Sequence, residues 1–156
     1  MTVDLALYQP DIARNAGTLL RLGACLGVRV HVIHPTGFPF SRRELKRGGL
    51  DYLDQAAVVE HDSYAHFAQW RHKSCQRLVL LTTKAELSAY DVAFGGTDIL
   101  MLGRESAGVP EAVAADADMR IRIPMQPGLR SINVAVAAAM VLGEALRQTG
   151  AFESLR

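Results

Sequence analysis

The groups in this sequence best placed to do chemistry fall in three strand-end segments and around two helix starts. The segments are Leu81-Thr82-Thr83, Leu102-Gly103-Arg104-Glu105 and Ile121–Leu129. Their backbone donors and acceptors can read an adenine edge, while Leu81, Ile123 and Met125 supply apolar walls. The same segments also serve as plain connections between strands and helices. Just beyond the third, Arg130, Ser131 and Asn133 stand at the start of a long apolar helix. Ser131 occupies the expected N-cap position. Ser131 and Asn133 suit an anionic group at a helix N-terminus, and Arg130 suits a phosphate. Earlier in the chain, Arg14, Thr18, Arg21 and Cys25 recur along one helix face.

The elements that must position these groups are legible from periodicity. Val3–Tyr8, Val28–Ile33, Ala57–Glu60, Leu78–Thr83, Asp98–Leu102 and Ile121–Pro124 read as strands. Helices are expected from Asp11 to Gly27, from Ser41 to Arg47, over Ser63–Lys73, after Pro110, and from Ile132 to Leu146. This alternation gives an α/β class with a mostly parallel sheet flanked by helices. Ligands of such sheets bind at the strands' carboxyl ends, which here are the three segments above. Asn15 lies six residues before Arg21, so an ideal helix turns them onto different faces.

Composition narrows the class. The 156 residues are 49% apolar with a net charge of +1, which fits one domain over residues 1–156 with a frayed tail at 151–156. No apolar run is long enough for a membrane span, and no basic-then-apolar segment opens the chain, so cytoplasm is expected. Cys25 and Cys75 lack metal-ligand spacing and are expected to be buried thiols. The five histidines form no helical pair with an acid, so no metal site is expected. Neither GxxxxGK[ST] nor GxGxxG occurs, which counts against triphosphate loops and ordinary dinucleotide sites. Arg42, Arg43, Lys46 and Arg47 form a basic cluster, and Arg71, His72, Lys73 and Arg77 a second. Such a cluster is either a solvated helix face or a phosphate site.

Three motifs in order, Asn15-Ala-Gly-Thr-Leu-Leu-Arg21, Leu102-Gly-Arg-Glu-Ser-Ala-Gly-Val-Pro110 and Ile121-Arg-Ile-Pro-Met125 with Leu129-Arg-Ser-Ile-Asn-Val-Ala-Val-Ala137, span nearly the whole chain. In this the sequence resembles the SPOUT superfamily of RNA methyltransferases, within its ribose 2′-O-methylating branch. It is most similar to the small single-domain enzymes of the tRNA wobble ribose, whose features are echoed by Leu7-Tyr-Gln-Pro10 and Leu45-Lys-Arg-Gly-Gly-Leu-Asp-Tyr52. The second motif stands nearer the general branch consensus than the wobble variant, which bears on which ribose is the target.

The resemblance implies a C-terminal trefoil knot whose loops bind S-adenosylmethionine, and a homodimer that completes the site. It implies cofactor contacts at Leu81, Thr82, Gly103, Ile123, Met125, Leu129 and Ser131. It implies catalytic roles for Arg21, Asn15, Glu105, Ser131 and Asn133, with Arg21 at the attacking hydroxyl. Arginine is too basic for a literal base, so holding phosphate and oxygen suits it better. Glu105 would shape the cofactor loop or orient Arg21, or else stand solvated. The implied RNA is a tRNA anticodon stem-loop, met by Arg130, Arg42, Arg43, Lys46 and Arg47, with Tyr8, Phe38 or Tyr52 available to stack a base. Ala135, Ala138, Ala139 and Gly143 would let a second copy's helix approach. The rival readings are a catalytically silent RNA-binding module on the same fold and a flavodoxin-like binding protein.

Overall fold

Strand-forming runs buried on both faces require cover above and below, and the computed structural model shows that arrangement. It describes residues 2–47 and 54–156, without the side chains of residues 44, 46 and 47. In chain order the elements are β1 (Asp4–Tyr8), α1 (Ala13–Leu26), β2 (Val30–Ile33), α2 (Arg42–Arg47), β3 (Val58–His61) and α3 (Tyr64–Ser74). There follow β4 (Arg77–Leu81), β5 (Leu87–Ser88), β6 (Asp98–Leu102), α4 (Glu111–Asp116), β7 (Met119–Arg122) and α5 (Val134–Gln148). The strands form one sheet in the order β3-β2-β1-β6-β4-β7-β5. Every pairing is parallel.

Successive side chains of each strand feed opposite cores, as the pleat demands. Leu5, Leu7, Val30, Val32, Leu100 and Leu102 pack on one face, with Leu19 and Leu20 of α1 and Val141 and Leu142 of α5. Ala6, Tyr8, Leu78, Leu80, Ile99 and Met101 pack on the other, with Phe67 of α3 and Val113 of α4. Gly27 ends α1 in the left-handed conformation at φ 65° and returns two backbone bonds to the last turn. Gly23 lets α1 lie close to β2, since a Cβ there would sit 2.5 Å from Val30 Cγ2 and 2.9 Å from Val28 O.

The amino ends of the strands are tied by charges. Arg77 holds Asp98 through two bonds of 2.8 and 2.6 Å, joining the starts of β4 and β6. The buried Arg71 on α3 reaches Asp118 at 3.0 Å and Asp116 at 3.3 Å, and Asp118 also accepts from Leu78 N at 2.7 Å. Asp4 accepts from Arg29 at 3.0 Å and meets His31 Nε2 at 3.1 Å. Arg71 and Arg77 of the second basic cluster are therefore spent inside the fold.

Several expectations are corrected. Cys25 and Cys75 are exposed, because each lies on or just past the outward side of its helix. In place of a frayed tail, Ala151–Ser154 makes a 3₁₀ turn that follows Gly150. The two-residue strand β5 on the sheet edge is too short to carry a period. The helix expected from Asp11 starts at Ala13, with Ile12 ahead of it 46% exposed and Asn15 and Ala16 its first buried residues.

His31 Nδ1 and His61 Nε2 lie 2.9 Å apart beneath Phe67 and Trp70. Burial and the neighbouring His31 lower the His61 pKa from 6.5 to about 4, with His66 adding to the effect and Asp62 opposing it. The unfolded chain takes up this proton more readily than the folded one. The stability is therefore complete above 6.5 and is lost as pH falls from there through about 4. We expect the thermal midpoint to drop by about 5 °C between about pH 7 and about pH 5, and much of that slope to vanish in His61→Asn. Calorimetric melting of the two proteins across that range checks it.

Candidate active site

A cleft of about 570 Å³ opens at the carboxyl ends of β4, β6 and β7. This is the end left free by the charge ties, and the size suits a nucleoside-sized ligand. Leu81 and Thr82 leave β4, Gly103 leaves β6, and Ile123 and Met125 follow β7, all lining the cleft. Thr82 N donates to Ile121 O at 2.9 Å and fixes two of these ends together. The loop after β6 is pinched by paired bonds between Arg104 and Gly108, at 3.0 and 2.9 Å. Gly103 is what permits the pinch, since a Cβ there would lie 2.8 Å from two backbone atoms of Gly108.

Asn133, not Ser131, caps α5. Its Oδ1 accepts from Ala135 N at 2.9 Å and from Val136 N at 3.2 Å. That fixes the amide's orientation, so Nδ2 faces Asn15 Oδ1 and donates to it at 3.2 Å. Asn15 is buried in the first turn of α1 and lines the cleft together with Asn133. Ser131 and Arg130 line it from the exposed turn ahead of α5. The cap moves because the Pro127-Gly128 turn runs on for two residues longer than the pattern suggests.

Glu105 is tied to a residue the sequence reading passed over. Asp11 N donates to Glu105 Oε2 at 3.1 Å, and Glu105 N donates to Asp11 Oδ1 at 3.0 Å. Ser106 Oγ donates to Asp11 Oδ2. The Glu105 carboxyl is pushed up by burial and then by its bond to Asp11, while Asp11 is held down chiefly by that same bond. Held by the Asp11 N–H and by its own backbone bond to Asp11, Glu105 shapes the loop after β6.

Other expected site residues fall elsewhere. Leu129 does not line the cleft and is 68% exposed. Arg21 lies on the exposed face of α1 with Arg14, Thr18 and Cys25, away from the cleft wall of its own chain. Arg43 is exposed on α2, whereas Arg42 donates to Val58 O at 2.9 Å and anchors that helix. The side chains of Lys46 and Arg47, and the whole of Tyr52, lie outside the described residues. Tyr8 is buried beneath Arg104, whose guanidinium carbon is 5.5 Å from the ring centre, so it is not presented to a base. Lys84 and Arg120 line the cleft and had not been singled out, beside Arg104 of the second segment. Their signal was a strand end rich in cations, visible only once β4, β6 and β7 are neighbours.

Among the described residues no group of histidine, cysteine and acidic side chains is arranged to hold a metal ion, and no helix is long and apolar enough to cross a membrane. Residues 2–143 match the SpoU rRNA Methylase family. The chain is 60% identical over 147 residues to a tRNA (cytidine(34)-2'-O)-methyltransferase of Beijerinckia indica, covering 94% of this chain and 92% of that protein. A protein of the same name from Ancylobacter novellus is 56% identical over 152 residues, covering 97% and 96%. A solved structure described as "Structural insights into the 2-OH methylation of C/U34 on tRNA" is similar at 40% identity with a TM-score of 0.86, covering 94% of this chain and 95% of that one.

The cap assignment has a direct test. Asn133→Ala should cost about 1–2 kcal/mol of unfolding free energy through the lost cap and the bond to Asn15. Ser131→Ala should change it by less than about 0.5 kcal/mol, as for an exposed position without such a role. Urea unfolding of both variants reads the difference.

Proposed function

The chain belongs to the SpoU rRNA Methylase family, and from that membership we propose that it methylates the ribose 2′-hydroxyl of cytidine 34 in tRNA, with S-adenosylmethionine as donor. The observation that carries this reading is the cleft at the ends of β4, β6 and β7, in a chain alike over nearly its full length to relatives of that name. The lining fits such a donor. Leu81, Ile123 and Met125 offer apolar walls to a base, the glycine-pinched loop offers backbone, and Thr82 and Asn133 offer polar ends. The strand order, with β6 returning between β1 and β4, is the arrangement a trefoil crossing would produce, and the crossing is part of this reading.

S-adenosylmethionine supplies a methyl on a sulfonium, whose departure as a neutral thioether needs no proton. The protein's work is therefore alignment of the ribose oxygen and management of its proton. A permanently charged Arg21 holds the neighbouring phosphate and the attacking oxygen, lowering the cost of oxygen's developing charge. Because Arg21 faces away from its own cleft, the side chain at work is Arg21 of the partner subunit. The exposed apolar Val136 and Met140 on α5, with Ala139 exposed between them and open space beside Gly143, provide the face on which two copies meet. Ala135 and Ala138 of the expected stripe are turned into their own core instead. Arg130 and Arg43 track the phosphates of an anticodon stem-loop. The work is cytoplasmic, where tRNA is.

Mass spectrometry of digested tRNA after incubation with the donor should show the added methyl on the ribose of nucleotide 34. A chain that binds donor and adds no methyl would be the silent RNA-binding module instead. Arg21→Ala should lose methyl transfer by at least about a hundredfold and keep donor affinity within about twofold. Mixing Arg21→Ala with the cleft-blocking Gly103→Val should restore about a quarter of wild-type activity, because half of the dimers then hold one intact site. Complete silence of the mixture would place Arg21 in its own chain's site.

A further inference from the structure

Asp11 stands outside the cleft wall, yet it makes three bonds to the loop after β6. Its carboxylate accepts from Glu105 N and from the Ser106 hydroxyl, and its own N–H donates to the Glu105 carboxyl. Both partners line the cleft. Asp11 is in turn immobilised from behind. Gly37 N donates to Pro10 O at 2.9 Å, and a Cβ on Gly37 would lie 2.6 Å from Asp11 Cβ and 2.9 Å from Asp11 Cα. The loop after β2, the approach to α1 and the loop after β6 thus meet at one residue.

We propose that Asp11 is a positioning residue for the methyl donor: it latches residues 104–108 in the donor-binding conformation through Glu105 and Ser106. This rests on the methyl-transfer reading and adds a residue to it. The geometry fits the role, since the bonds between Asp11 and Glu105 run both ways between the two segments. A loop left without the latch must be ordered by the donor itself, and that cost appears in donor affinity. It leaves the transfer step, once the donor is bound, nearly as before.

The test is calorimetric titration of each full-length variant with S-adenosylmethionine, alongside single-turnover methylation of a tRNA transcript at saturating donor. Asp11→Ala should raise the donor Kd about tenfold and slow the saturated step by no more than about threefold. Asp11→Asn keeps an acceptor for Glu105 N–H and should stay within about threefold of wild type in Kd. Gly37→Ala moves Asp11 without altering its carboxylate and should raise Kd by at least about threefold. It also decides the matter if Asp11→Ala does not fold, an unchanged Kd then overturning the proposal. An Asp11→Ala chain with wild-type Kd, a loss confined to the saturated step, or equal damage in Asp11→Ala and Asp11→Asn would each overturn it. A wild-type chain that binds no donor would sink the methyl-transfer reading itself, and with it this one.

Discussion

The structure depends on a parallel sheet that is locked at one end and open at the other. Parallel strands buried on both faces leave their end groups as the only backbone free to meet a ligand. At the amino ends, buried charge is matched pair by pair. Arg77 meets Asp98, Arg71 meets Asp116 and Asp118, and Arg29 and His31 meet Asp4. Removing one member of such a pair strands the other, so these ends resist change. The carboxyl ends of β4, β6 and β7 carry glycine, threonine and apolar side chains with the cations Lys84, Arg104 and Arg120 about them, and the cleft lies there.

What keeps that open end in shape is a small set of polar contacts between residues distant in sequence. Asn133 spends its oxygen on the first turn of α5 and its amide on Asn15, 118 residues away. Asp11 spends its oxygens on Glu105 and Ser106, 94 and 95 residues away. Both ties join the approach or first turn of α1 to a loop of the second half of the chain. The helix that presents Arg21 outward is thus in register with the loops that would hold a donor. In the proposed dimer, the same α1 would serve one cleft with Asn15 and the other with Arg21.

Much of this was legible in the sequence. Val30–Ile33, Leu78–Leu81 and Asp98–Leu102 are apolar runs bounded by glycine or charge, and they name their own strands. The carboxyl-end rule then locates the cleft without any coordinates. What stayed hidden is nonlocal. Ser131 and Asn133 are both good caps, and only the length of the Pro127-Gly128 turn selects between them. Arg71 and Arg77 read as a basic patch until Asp98, Asp116 and Asp118 fold against them. Asp11 resembles a residue at a helix start, and its partner is found only by knowing that β6 lies beside β1. Arg21 shows the converse: periodicity put it on an outward face, and it is there.

The departure at the second motif can be judged on the same terms. Arg104 lies within this motif, whose departure from the wobble variant bears on which ribose is the target. Its Nε donates to Gly108 O at 3.0 Å, and its guanidinium lies over the Tyr8 ring. Much of the side chain is thereby committed to closing its own loop and covering the end of β1. A residue held in this way sets loop shape more than substrate choice, since a guanidinium bound to carbonyl and ring has fewer donors to offer an incoming phosphate. The relatives at 56% and 60% identity point the same way, as both carry the cytidine 34 name across nearly the full length of the chain. The motif's difference is thus met within the protein by Gly108 and Tyr8.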